Sequence, residues 1–68
     1  MLKQIMVNAA RKHAEAEIEL HKANIEVYMQ QVVGIGEHSD IIETIQKELD
    51  KMATASDRLE MLDKHFGA

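Results

Sequence analysis

His13, Glu17 and His21 are the residues of this chain whose types and spacing could hold a metal ion. They stand four residues apart, so on a helix they lie along one ridge, and imidazole and carboxylate groups are common metal ligands. The more specific motifs are absent: no histidine follows a glutamate by three residues, and no His-Glu-x-x-His occurs. A metal-binding helical bundle is therefore kept as an alternative. The favoured interpretation is that His13 is partly buried and pairs with a facing carboxylate, Asp57 or Glu60.

The segment VVGIGEHSD, residues 32–40, contains two of the three glycines and raises the question of a phosphate-binding loop. A dinucleotide-binding fingerprint needs a third glycine where Ser39 stands, and it follows a strand. A P-loop ends in Gly-Lys followed by Ser or Thr, and this segment does not. Gly34 and Gly36 instead favour a turn, because glycine adopts the left-handed conformation that ends a helix at little cost.

The side chains after this turn have separate predicted roles. Asp40 is predicted to cap the second helix, and Glu43, three residues later, completes a capping-box pattern. The turn does not require Glu37 or His38, so these two are candidates for an exposed contact loop. We predict no catalytic residue and no cofactor, since no nucleophile elbow or triad spacing occurs and two packed helices enclose no deep pocket.

The elements that must position these residues are helices. The chain has no proline, and its three glycines stand at 34, 36 and 67. Strong helix formers (Ala, Glu, Lys, Leu, Met and Gln) dominate the stretches between them. The sequence predicts a single all-α domain over residues 1–68, with a helix at about 3–32, a turn at about 33–39 and a helix at about 40–65.

Each predicted helix has a seam of positions at heptad spacing. On the first helix the seam is Leu2, Met6, Ala9, His13, Ala16, Leu20, Ala23 and Val27. On the second it is Ile42, Ile45, Leu49, Met52, Ser56, Leu59, and then Leu62 or Phe66. Two such seams joined by a short connection predict an antiparallel coiled-coil hairpin. With the turn centred near Gly36, facing residue numbers sum to about 72, so Ala16 is expected to face Ser56.

The first helix carries a second heptad-spaced stripe on a different side. Its members are Val7, Ala14, Ile18, Ile25, Met29 and Val32. A helix that is apolar on two sides has two neighbours, and a lone hairpin supplies only one. The sequence therefore predicts that this stripe is an oligomer interface, most simply between two copies, giving a four-helix bundle homodimer or a higher even-numbered oligomer.

Length and charge limit the possible partners. A chain of 68 residues forms one domain with a small core, and the absence of cysteine excludes disulfides. The net charge is −4, and all of the acidic excess lies in residues 34–68, so nucleic-acid binding is not expected. No apolar run approaches the roughly 18 residues that span a bilayer, and no secretory signal begins the chain. We expect no membrane partner and a cytoplasmic location.

Residues 23–66, which include the segment VGIGEHSD, resemble small uncharacterised helical proteins of marine T-even-like phages, including cyanophages. The resemblance implies a phage-encoded protein in the cytoplasm of an infected bacterium. It implies no activity and no site residues.

The sequence predicts a small non-enzymatic interaction or structural protein that associates with itself. One alternative is a regulator that binds a host or phage protein through its acidic second helix. The metal-binding bundle with His13, Glu17 and His21 is the other alternative.

Overall fold

A computed structural model describes residues 1–30 and 38–67, and the side chains of all of these except residues 38 and 39. Helix α1 spans Leu2–Gln30 and helix α2 spans His38–His65, and the two pack against each other. This confirms the all-α hairpin. The predicted end of the first helix near 32 lies outside the described residues, and so do the two turn glycines.

Helix α2 begins earlier than the capping pattern predicts. Its first residue is His38, so the prediction that Asp40 and Glu43 form a capping box at the helix start is wrong. Asp40 instead lies within the first turn of α2, where its negative charge interacts favourably with the positive end of the helix dipole. Its backbone carbonyl accepts a hydrogen bond from Thr44 Oγ1 at 2.9 Å.

The hairpin seam, meaning the positions that face the other helix, follows strict heptad spacing on both helices. On α1 it consists of Val7, Arg11, Ala14, Ile18, His21, Ile25 and Tyr28, all buried or half-buried. On α2 it consists of Ile41, Ile45, Glu48, Met52, Ala55, Leu59 and Leu62. Ala14 and Ala55 are 2% and 1% exposed, which makes them the least exposed residues of the hairpin seam.

The structure reverses the predicted roles of the two stripes on α1. The stripe expected at an oligomer interface contributes Val7, Ala14, Ile18 and Ile25 to the hairpin seam, while Met29 remains exposed and Val32 lies outside the described residues. The stripe expected inside the hairpin lies on the outer side of α1. We call it the outer stripe: Leu2, Met6, Ala9, His13, Ala16, Leu20, Ala23 and Val27, all exposed.

The predicted seam of α2 is partly right. Ile45, Met52, Leu59 and Leu62 face α1, whereas Ile42, Leu49, Ser56 and Phe66 are exposed. The expected contact of Ala16 with Ser56 is therefore wrong, because both residues are exposed.

The direction and approximate register of the hairpin agree with prediction. The cross-helix polar contacts join residues whose numbers sum to 69, 72, 74 and 75, against a predicted sum of about 72. A nearly constant sum is the mark of antiparallel helices with a common rise. The predicted position of the connection therefore identifies which parts of the two helices lie side by side. It does not identify which side of α1 faces α2.

The molecule is long and thin. Its principal extents are 54 × 15 × 12 Å, and its radius of gyration is 15.8 Å. A compact domain of this length would have a radius of gyration of roughly 11 Å. Among the described residues, the buried apolar side chains are Val7, Ala14, Ile25 and Ala55, which is a small core for two long helices. Neither helix is both long enough and apolar enough to cross a bilayer, within the residues described.

Candidate functional site

The outer stripe runs along the exposed side of α1. Its four large apolar residues, Leu2, Met6, Leu20 and Val27, are between 51% and 68% exposed. Alanines and His13 fill the positions between them. At the helical rise the stripe runs for about 37 Å, nearly the whole length of α1. An apolar surface of this length with heptad spacing is typical of a helix that packs against another helix.

A buried polar cluster lies on the inner side of the hairpin, at Glu48. This carboxylate is 8% exposed, and its Oε1 accepts hydrogen bonds from His21 Nδ1 at 2.9 Å and Asn24 Nδ2 at 2.7 Å. Lys51 Nζ stands 3.7 Å from Glu48 Oε2. The donors come from α1 and the acceptor from α2, so the cluster is complete only when the two helices pack in this register.

The cluster also sets the protonation of Glu48. The hydrogen bond from His21 and then the one from Asn24 lower the pKa of Glu48 below its ordinary value of 4.5. Burial opposes this by raising the pKa, and attraction to His21 and Lys51 lowers it further. The balance favours the ionised carboxylate, which can accept both hydrogen bonds.

Two ion pairs extend the polar contacts between the helices toward the free end of the hairpin. Arg58 Nη1 lies 3.3 Å from Glu17 Oε1, and Arg11 pairs with Asp63. Among the described residues, no buried side-chain nitrogen or oxygen lacks a hydrogen-bond partner. The buried polar groups of the hairpin therefore satisfy one another, and they serve the packing of α1 on α2.

The structure does not bring the candidate metal ligands together. His13 Nδ1 lies 3.1 Å from Glu17 Oε1 on the same helix, while His21 turns to Glu48 on α2. Within residues 1–30 and 38–67, no three His, Asp or Glu side chains are grouped so that they could share an ion. The expected pairing of His13 with Asp57 or Glu60 is also wrong, because the His13 side chain is 74% exposed and pairs within α1.

An open apolar groove of about 500 Å³ lies between the helices near their free ends. Ala10 and Ala14 form one wall, and Met61, Leu62 and Phe66 form the other. The groove exists because small side chains on α1 face larger ones on α2. The groove borders the outer stripe at His13, and the charged side chains of Asp57 and Arg58 also line it.

The predicted contact loop cannot be placed in full. Glu37 lies outside the described residues. His38 is the first residue of α2, and its side chain lies outside the described part.

The site that sequence reasoning missed is the cluster of His21, Asn24 and Glu48. A signal was present, since His21 and Glu48 both occupy heptad positions and their numbers sum to within a few residues of 72. Comparisons with protein-family models, curated proteins and solved structures found no match to this chain.

Proposed function

We propose that this chain is a small, non-enzymatic interaction protein that functions as a self-associated helical bundle. The observation that carries the proposal is the outer stripe: a heptad-spaced apolar surface along α1 that remains exposed when α1 packs on α2. A helix with apolar residues on two opposite sides is expected to have a neighbour on each.

The surface area of the chain supports this proposal. The hairpin exposes 5304 Å² for a mass of 7.7 kDa. A folded monomer of that mass is expected to expose about 4,300 Å², so the hairpin carries an excess of roughly 1,000 Å². Each partner in a standard protein interface buries about 800 Å². Pairing of two hairpins would therefore bring the exposed area per chain into the ordinary range.

The free energy gained by burying the outer stripe is comparable to the cost of association. Fully burying a Leu, Val or Met side chain contributes about 1.5–3 kcal/mol, and two copies bring together eight such side chains that are each about half-exposed. Association costs roughly 4–15 kcal/mol in lost freedom, so the gain and the cost are comparable before the smaller stripe residues are counted.

A second candidate function is a regulator that binds another protein through α2. The observation that favours it is the combination of an acidic excess on α2 with exposed Ile42 and Leu49, which are 57% and 45% exposed. A basic, partly apolar partner would suit that surface. The resemblance of residues 23–66 to small phage proteins would place either function in an infected bacterial cytoplasm.

Two matched substitutions test the self-association. We expect Leu20→Glu to give the mass of one chain in light scattering, because it places a charge in the apolar contact between copies. Leu49→Glu introduces the same change at a leucine of similar exposure on α2, and it should leave the oligomer intact. Circular dichroism should show the same helix content for both.

The reverse result, with Leu49→Glu dissociating the protein and Leu20→Glu leaving it associated, would move the interface to α2. It would contradict the role proposed for the outer stripe.

A further inference from the structure

We propose that two copies of this chain pair through their outer stripes with the α1 helices antiparallel, about a two-fold axis that passes between residues 14 and 15. The inference rests on the proposed self-association and adds its geometry: which helix pairs, in which direction and in which register. Three features of the described residues carry it, namely the sizes of the stripe residues, the charges beside them and the distribution of charge between the helices.

The spacing of the outer stripe fixes the register. In a two-fold antiparallel pair, the numbers of facing residues have a constant sum. Steps of four and three read the same from either end of the stripe, so a sum of 29 places every stripe residue opposite another member. The facing pairs are Leu2 with Val27, Met6 with Ala23, Ala9 with Leu20, and His13 with Ala16.

The sizes of the facing residues favour this arrangement. In each of the three inner pairs an alanine meets a larger side chain: Met6, Leu20 or His13. Small residues opposite large ones let two helices interdigitate at an even separation. A parallel pair would instead place alanine opposite alanine and leucine opposite leucine. The leucine layers would hold the two helices apart, and the alanine layers would then contain gaps.

Charges beside the outer stripe are complementary in the same register. Lys12 and Glu19 are exposed on the edge of the stripe. Their numbers sum to 31, so an antiparallel pair brings Lys12 of one copy close to Glu19 of the other. The two-fold axis repeats this contact, which gives two attractive pairs for each dimer.

The charge of each whole helix agrees with this arrangement. The charged residues of α1 sum to zero, while those of α2 sum to −3, from seven acidic and four basic side chains. Pairing through the outer stripe places the neutral α1 helices at the centre and the α2 helices on the outside. The two acidic helices are then kept apart, which limits the repulsion between copies.

Single cysteines test the direction and register, because the natural chain has none. Purified Ala9→Cys and Leu20→Cys proteins are mixed and oxidised, and non-reducing electrophoresis with mass spectrometry counts each disulfide-linked species. Residues 9 and 20 face each other in the proposed pair, so we expect the mixed dimer to dominate. Each variant alone should cross-link poorly, since its two cysteines would lie eleven residues, or about 16 Å, apart along the helix axis.

A mixture of Ala9→Cys with Leu49→Cys is the control, because Leu49 is exposed on α2 and outside the proposed contact. Efficient self-linking of Ala9→Cys would overturn the antiparallel pairing and leave self-association standing. Failure of every mixture to cross-link, with a dimeric natural chain, would overturn the outer-stripe interface alone. A natural chain that sediments as a monomer would overturn both the inference and the proposed function.

Discussion

At the scale of single residues, Glu48 shows how a polar side chain can specify a helical hairpin. A carboxylate in a mostly apolar seam is costly to bury, and the cost is offset here by donors from His21 and Asn24. Sliding α1 along α2 by one turn would separate these groups and leave them buried without partners. We infer that the cluster fixes the register, as single polar residues do in other helical seams.

The charge of Glu48 should make stability depend on pH. Because the pKa of Glu48 is lowered in the folded chain, the unfolded chain takes up its proton first as the pH falls below 4.5. The contribution of Glu48 is therefore fully present above pH 4.5 and is lost as the pH falls through the lowered folded value. We expect Glu48→Gln to lower the urea midpoint at neutral pH and to differ less from the natural chain well below pH 4.5.

Glu43→Gln is the matched control for that experiment, since Glu43 is an exposed carboxylate on the same helix. It should leave the urea midpoint nearly unchanged at neutral pH. Equal midpoints for the natural chain and Glu48→Gln at neutral pH would show that the buried cluster does not stabilise the hairpin.

At the scale of the helices, composition and apolar periodicity predict the fold but not which side of α1 faces α2. The absence of proline, the helix-forming composition and the short connection predict two antiparallel helices, and the structure agrees. The two stripes of α1 share the same heptad spacing, so periodicity cannot rank them. Cross-helix polar partners decide between them: His21 and Asn24 can reach Glu48, and Arg11 can reach Asp63, only when the second stripe faces inward.

The capping pattern does not determine where α2 starts, because more than one position at a helix start suits the same residue. Asp40 suits both an N-cap and the first turn, because a negative charge is favourable at either position. Ser39, one residue earlier, offers a further capping side chain. Sequence patterns at helix starts therefore leave an uncertainty of a residue or two, and here the helix begins at His38.

Two neighbouring alanines on α2 test which side of that helix faces α1. Ala55 is 1% exposed and Ala53 is exposed. We expect Ala55→Leu to overpack the hairpin seam and lower the free energy of unfolding by about 1–3 kcal/mol. Ala53→Leu, with the same change in side chain, should have little effect on urea unfolding. Similar losses for the two variants would contradict the seam described for α2.

At the scale of the whole molecule, a thin hairpin with a small core leaves much of its apolar surface in water. Its extents of 54 × 15 × 12 Å describe two helices side by side. Within residues 1–30 and 38–67 no third element covers the outer side of α1. A small domain without disulfides commonly gains stability from a partner subunit. The shape of the chain, the outer stripe and the neutral charge of α1 together favour an assembly in which two α1 helices form the centre.

The native mass of the unmodified chain tests this account most directly. Sedimentation equilibrium over a range of micromolar concentrations should give a mass of about 15.4 kDa, twice the 7.7 kDa of one chain, with dissociation only on dilution. The fitted model should need only monomer and dimer. A well-folded chain that remains at 7.7 kDa across that range would contradict the account, and the outer stripe would then have to bind a different protein.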